Sequence, residues 1–183
     1  VERFLSSHYY PVGEPIETGP LTRLLQFSST SAPDQFAFRS PEHLTDLVFG
    51  DHIRLTGFDL PEGMDYQPGA ALAVTTVWTT AAPLEGNYSI GLYLRDANGA
   101  EVAQVDAQPG AGFYPTSQWQ VGVPVWDNRA IRLPEQLAAG TYQLWIKLYD
   151  FGADGATARD LPVTAGERID SSIGVLPVVI RIG

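Results

Sequence analysis

Apolar residues recur at every second position along most of this chain, and turn-forming residues interrupt them at intervals of about ten, the pattern of antiparallel β-structure. Leu72, Val74, Thr76 and Trp78 alternate with Ala73, Thr75 and Val77. Tyr88, Ile90, Leu92 and Leu94 alternate with Ser89, Gly91, Tyr93 and Arg95, and Tyr142, Leu144, Ile146 and Leu148 with Gln143, Trp145, Lys147 and Tyr149. Leu176, Val178, Ile180 and Ile182 close the chain in the same way. Successive strand residues point to opposite faces, so the 88–94 and 142–148 sets should each line one side of a strand and face a common core. Asp96-Ala97-Asn98-Gly99 supplies a hairpin turn in which Asn-Gly tolerates positive φ, with 101–106 as the return strand. Residues 46–60 read as one long or bent strand, and 123–133 as two short strands or one with a bulge near Asp127-Asn128. About eight strands at this spacing predict an all-β fold, an antiparallel two-sheet β-sandwich, immunoglobulin-like or jelly-roll-like, with a short N-terminal helix. Leu137-Ala138-Ala139-Gly140-Thr141-Tyr142 resembles a tyrosine corner, whose hydroxyl returns to upstream backbone; the alternative is a core tyrosine after a glycine turn.

The first 44 residues differ in texture. Residues 1–8 read as one short helix with Phe4 and Leu5 apolar, and Tyr9-Tyr10-Pro11 begins an extended stretch. Residues 21–27 and 35–39 read as strands, 28–34 and 40–42 as loop. This segment is too short to be a domain, so 1–44 is expected to pack on a sandwich formed by 45–183, or to have joined it to a preceding element. At 183 residues one structural domain is expected, able to bury roughly 70% of the surface its unfolded chain exposes. The chain begins at Val1 rather than Met, which suggests a mature form or a piece of something longer.

Charge and composition narrow the partners. Eleven Lys+Arg against twenty-one Asp+Glu leave a net charge of −10, which repels phosphate backbones and anionic lipid, so nucleic acid is not an expected partner. No stretch approaches the roughly 20 apolar residues of a membrane span or reads as a signal peptide, so no direct membrane insertion by these residues is expected. The absence of cysteine removes thiol nucleophiles, Cys-based zinc sites and iron–sulfur clusters.

Catalytic chemistry finds little footing. His8, His43 and His52 sit in no nucleophile–base signature, and there is no G-x-S-x-G. His52, read as a strand residue, has Asp51 beside it and hence on the opposite face, which makes it a structural histidine. Residues 96–99 lack the later acidic ligand of a calcium loop, and the acidic stretch 150–155 matches no calcium spacing and reads as a solvated turn. Twenty-one acids guarantee that some two lie close together, so paired carboxylates carry no signal. Asn87-Tyr88-Ser89 fits a glycosylation acceptor but opens a strand. No catalytic residue, metal or cofactor is expected, and the domain alone should lack hydrolase or transferase activity.

The aromatic residues are more informative: four Trp, eight Tyr and eight Phe. Rings on a sheet face or a loop rim stack on the C–H face of a pyranose. Tyr114, Trp119 and Trp126 fall in turn-rich sequence and Trp145 on the polar-containing face of its strand, which makes these four the candidate ligand-binding residues; the alternative is that they fill the core or cover loops. For Trp119 the structural role is expected to come first, because Pro115, Thr116 and Ser117 rigidify the 110–122 loop and one large ring plugs a sandwich end.

Those same residues carry a resemblance. Pro115-Thr116-Ser117-Gln118-Trp119-Gln120-Val121-Gly122, followed by Val125-Trp126-Asp127 and Leu133-Pro134, is similar to a P-T-S-x-W-x-x-G block in the soluble C-terminal regions of bacterial multi-span glycosyltransferase-like membrane proteins of the polyprenyl-phosphate-sugar mannosyltransferase type. Leu55-Thr56-Gly57-Phe58-Asp59-Leu60, the stretch from Pro68-Gly69 to Trp78, Val102-Ala103-Gln104-Val105-Asp106 and 134–150 resemble further segments of that family. Phe4-Leu5-Ser6-Ser7-His8-Tyr9-Tyr10 looks like the W-L-x-x-H-Y-Y segment after the last membrane span, with Phe4 in place of Trp, and 149–162 replaces a shorter Y-D-x-x-T-G-x-R-L-P hairpin. The resemblance covers nearly the whole chain. It implies a non-catalytic, extracytoplasmic accessory domain tethered by upstream membrane spans, in contact with a glycan, a partner protein or the membrane-embedded part of its parent. The alternatives are an independent secreted carbohydrate-binding or adhesive module, and, more distantly, an enzyme. Upstream spans mark the first, a signal peptide or catalytic neighbour the second, a cleft of converging acids the third.

Overall fold

The computed structural model describes residues 1–33, 39–151 and 157–183. Helix α1 (Glu2–His8) is followed by β1 (Tyr9–Pro11), β2 (Ile16–Gly19), β3 (Thr22–Leu24) and β4 (Phe27–Ser31). Next come β5 (His43–Phe49), β6 (Ile53–Asp59), β7 (Asp65–Tyr66), β8 (Ala71–Thr80), β9 (Ser89–Arg95) and β10 (Glu101–Ala107). Two 3-10 turns, Pro109–Gly112 and Thr116–Gln118, lead to β11 (Val125–Arg132), β12 (Gly140–Phe151), β13 (Ala158–Asp160), β14 (Val163–Ala165) and β15 (Ile173–Ile182). One sheet runs β11-β8-β6-β5-β14 and the other β10-β9-β12-β15-β7, with β13 pairing to β12; β7 and β15 pair parallel and the other strand pairs antiparallel.

The two sheets form the expected all-β sandwich because their inward residues are the apolar sets of the sequence. Ile90, Leu92, Leu94, Leu144, Ile146 and Leu148 are fully buried and Tyr142 nearly so, and Leu176, Val178, Ile180 and Ile182 join them. Tyr88 sits just before β9, partly buried against the same core. From the facing sheet come Leu47, Phe49, Ile53, Leu55, Leu72, Val74 and Trp78. The Tyr142 hydroxyl donates to the Ala138 carbonyl at 2.7 Å, the bond of a tyrosine corner. At the 96–99 turn the Asp96 carboxylate accepts from the amides of Asn98 and Ala100, and Gly99 takes φ of 79°.

The strands are more numerous than eight: fifteen lie among the described residues. Residues 46–60 are not one strand but part of the hairpin β5–β6, because Gly50, at φ 57°, turns the chain. His52 therefore lies in an exposed turn rather than in a strand. Residues 125–132 form one strand in unbroken register with β8, with no bulge at Asp127-Asn128. The polar pair Asp127 and Arg129 fits inward without one because the two residues, on the same face, neutralise each other: Arg129 Nε donates to Asp127 at 2.8 Å and its Nη2 bonds the same oxygen. Near the N-terminus the expected 21–27 strand is split between β3 and β4, and β4 extends into the expected 28–34 loop because it pairs with β1. The expected 35–39 strand and most of the 150–155 loop lie outside the described residues, with Arg39 irregular and Asp150 and Phe151 in β12. No helix among the described residues is long and apolar enough to cross a membrane.

Strand β8 is buried on both faces. Ala73, Thr75 and Val77, which point away from the sandwich core, are covered like Leu72, Val74 and Trp78, which point into it. Much of the outer cover comes from the N-terminal strands: Tyr10 and Val12 pack on Ala73 of β8 and Ala130 of β11. A buried polar chain pins them. The Tyr10 hydroxyl and Thr75 Oγ1 lie 2.8 Å apart, Thr75 Oγ1 donates to Asn128 Oδ1 at 2.8 Å, and Asn128 Nδ2 donates to the Ser6 carbonyl at 3.2 Å.

Burial pushes the Tyr10 phenol up from its ordinary 10.0 to about 12, with its bond to Thr75 opposing the shift. The folded chain therefore holds this proton more tightly than the unfolded chain. The stabilisation is fully present below pH 10 and is lost as pH rises from about 10 to about 12. Tyr149, also raised to about 12 chiefly by burial, shares that window. Urea midpoints measured across this interval should fall, and the Tyr10→Phe variant, though less stable at pH 8, should fall less steeply than the parent. Equal slopes for the two would show that Tyr10 is not protected.

Candidate functional site

The outer face of the β11-β8-β6-β5-β14 sheet is not covered along its whole length. Beyond the N-terminal strands it opens into a groove of about 840 Å³, within the usual range for small-molecule sites. Its floor is outer-face sheet residues: Thr56 of β6, Val77 of β8 and, directly opposite Val77 in the register, Trp126 of β11. One wall is α1, with Arg3, Ser6 and Ser7; a second is Arg39, Ser40 and Pro41; a third is Pro109, Gly110, Phe113 and Tyr114.

Each wall is held by a local device. Gly57 lets Pro41 lie flat on the sheet: a Cβ there would sit 2.3 Å from Pro41 Cγ and 2.5 Å from the His43 carbonyl oxygen. Asp59, 1% exposed, then collects the same segment, accepting from Arg39 Nη2 at 2.5 Å and from the Glu42 amide at 2.7 Å. Arg39 is thereby set over the Trp126 ring, 4.8 Å from its centroid. On the α1 wall the Arg3 guanidinium lies 5.4 Å from the centroid of Tyr114. The Tyr114 loop is tied to β11 by the Gly110 amide, which donates to Asp127 Oδ1 at 2.8 Å. Gly110, Ala111 and Gly112 all adopt left-handed φ, of 61°, 54° and 86°, and Ala111 does so without glycine's freedom. The Asp127 carboxylate is committed in turn to Arg129, whose Nη1 also donates to the Ile90 carbonyl at 2.5 Å, so one buried ion pair joins the loop, β11 and β9.

The structure separates the four aromatic candidates. Tyr114 and Trp126, both partly exposed, line the same groove. Trp119 does not: it is 5% exposed, its ring centroid lies 6.3 Å from that of core Trp78, and its Nε1 donates to the Tyr114 carbonyl at 3.3 Å. Its loop is stapled as the P-T-S residues suggest. Thr116 Oγ1 donates to the Gly86 carbonyl at 2.8 Å and accepts from the Tyr88 amide at 2.9 Å. Trp145 lies elsewhere, on the outer face of the second sheet, and is 9% exposed. Arg95 sits 5.1 Å from its ring centroid, and a Cβ on Gly99 would be 3.4 Å from the ring. Its apolar faces are therefore taken up by the neighbouring hairpin rather than offered to a ligand.

The same outer face carries a second polar group of residues. Asp106 accepts from the Tyr93 hydroxyl at 3.1 Å over Gly91, where a Cβ would sit 2.3 Å from that hydroxyl oxygen. Burial, and after it the Asp106 charge, push the Tyr93 phenol far above its ordinary value. The three histidines stand apart: His8 stacks on Phe4, His43 on Phe58, and His52 is exposed in its turn.

Sequence reasoning missed both groove arginines and the floor residues Thr56 and Val77. Isolated arginines, one in a short helix and one in irregular sequence, carry no motif. Val77 did carry one: it belongs to a strand with no charged residue on either face, the mark of a sheet covered on both sides.

With Trp119 buried against Trp78 and bonded to its own loop, the Trp119→Ala variant should lose about 3–5 kcal/mol in urea or guanidinium denaturation, the range for emptying a buried aromatic site. An unchanged midpoint would place the ring outside the core.

Comparison with protein families found no family model that matches this chain, and comparison with curated proteins found no match.

Proposed function

We propose that this sandwich is a non-catalytic, extracytoplasmic accessory domain of a membrane glycosyltransferase-like protein, and that its groove holds a glycan. One observation carries the binding part: Tyr114 and Trp126, from different elements, converge on a single open groove of ligand size whose walls are fixed by proline, a buried carboxylate and an ion pair. Rigid walls suit recognition, since little ordering is left to be done when the ligand arrives. The described lining residues are apolar, hydroxylic, amide backbone or arginine. No carboxylate or imidazole is among them, and the nearby carboxylates of Asp59 and Asp127 are buried and bonded to Arg39 and Arg129, which supports a holding role over turnover. The membrane part of the reading is supported by the sequence motifs alone.

The groove is tested by titrating the isotope-labelled domain with a panel of short neutral and acidic oligosaccharides. Amide shifts should cluster at 39–41, 109–114 and 123–126 for at least one of them, and both Tyr114→Ala and Trp126→Ala should remove the response while leaving the circular dichroism unchanged. Shifts confined to the Trp145 face, or none for any saccharide, would overturn it. The tether is tested separately. The full-length gene product should carry several hydrophobic spans before Val1, and a product without any would remove the attachment to a membrane transferase.

A further inference from the structure

We propose that the groove selects an anionic saccharide, a sugar ring bearing an oxyanion, which Arg3 and Arg39 clamp between them. This rests on the reading of the groove as a glycan site and adds the chemical class of the glycan.

The argument begins with charge. The chain as a whole carries −10, a field that disfavours anions, yet the described lining of its main groove holds two guanidiniums and no carboxylate. The arginines are also placed in a particular way. A neutral pyranose would use bare ring faces, but here the two candidate rings each have a guanidinium on them, Arg39 on Trp126 and Arg3 on Tyr114. A neutral sugar must displace these cations and forfeit their attraction to the rings. An anionic sugar keeps both, because a guanidinium lying over a ring still presents N–H groups to an oxyanion.

The two arginines differ in how they are held. Arg39 gives its Nη2 to Asp59, whose near-complete burial fixes the pair, and its Nη1 and Nε make no hydrogen bond among the described residues. Its position is therefore set before any ligand binds. Arg3, on the first turn of α1, is exposed and makes no ion pair among the described residues. One arm is rigid and the other adjustable. An oxyanion bound at Arg3 would gain most, because there it competes with no carboxylate among the described residues.

Two sources share this chemistry: a uronic acid, with its carboxylate on the ring, and a sugar phosphate. Calorimetry with trigalacturonate, glucose 1-phosphate and neutral maltotriose separates them. At least one anionic probe should bind about tenfold or more tightly than maltotriose, the discrimination expected of a charge-assisted hydrogen bond. Its affinity should weaken severalfold between about 20 mM and about 0.5 M salt. Arg3→Gln, at an exposed position that leaves the fold intact, should weaken that probe about tenfold. Arg39→Lys keeps a charge on Asp59 but loses the planar stack, and should weaken it less. Equal affinity for maltotriose and both anionic probes, or an Arg3→Gln variant indistinguishable from the parent, would overturn the charge assignment and leave the glycan groove standing. No heat with any of the three, at concentrations where the labelled domain also shows no shifts at the groove, would remove both.

Discussion

A strand that is apolar on both faces forces a sheet to be covered twice, and β8 is such a strand. Its inward residues make the sandwich core with the opposing sheet; its outward residues, Ala73, Thr75 and Val77, leave a stripe that water would otherwise meet. The N-terminal strands meet that demand over Ala73 and Thr75. They are a poor core in themselves: Ile16, Leu21 and Leu24 are exposed, and among the described residues β2 and β3 pair only with each other. Their order derives from what Tyr10 and Val12 bury against the sheet and from the Tyr10–Thr75–Asn128 chain, in which a hydroxyl and an amide deep in the cover satisfy one another. Leaving any one of those groups without its partner would cost about 1–3 kcal/mol, a large fraction of the stability of a domain this size.

The groove follows from the same demand being met by different pieces further along. The N-terminal strands stop before Val77 and Trp126, and the chain completes the cover there with three walls around an opening instead of a third layer. Gly57 is the position that makes this possible, because a side chain there would lift Pro41 from the sheet and carry Arg39 away from Trp126. Asp59, two residues on and on the same outer face, supplies the charge that holds Arg39 down. Short-range sequence thus encodes the wall in Gly57-Phe58-Asp59, with Phe58 between them turned inward to the core.

Much of the sandwich was legible because inward faces obey a period of two whatever pairs with them. The 90–94, 142–148 and 176–182 sets needed only that rule, and the tyrosine corner needed only a glycine turn before Tyr142. Two kinds of feature escaped. Short strands such as β4, with its polar Ser28-Ser29-Thr30, have no apolar period, because they are held by backbone pairing to β1 and not by a buried face of their own. Polar residues in an apolar strand were read as a break at Asp127-Asn128, when Asp127 and Arg129 cancel each other inside and Asn128 is consumed by Thr75 outside. For β4 and for Asn128 the deciding partner lies far away in sequence, 16 to 53 residues for these contacts, whereas Asp127 and Arg129 are two residues apart and their pairing depends on both being turned inward. The aromatic candidates divide on the same ground. Trp119 was legible as an anchor from the turn residues beside it, whereas the pairing of Tyr114 with Trp126 depends on where the 110–112 backbone turns left-handed.

Asp127 links these observations into one mechanical argument. Its carboxylate is shared between Arg129, which reaches across to the Ile90 carbonyl of the second sheet, and the Gly110 amide, which begins the loop bearing Tyr114. A buried ion pair is seldom retained for stability alone, since apolar residues of the same size do as well or better. Here it does something apolar residues cannot. It fixes the orientation of a left-handed loop through a charge-assisted hydrogen bond, and ties that orientation to the closure of the two sheets. The geometry of the groove wall is therefore coupled to the packing of the core, and its rigidity is a consequence of the sandwich being closed on that side.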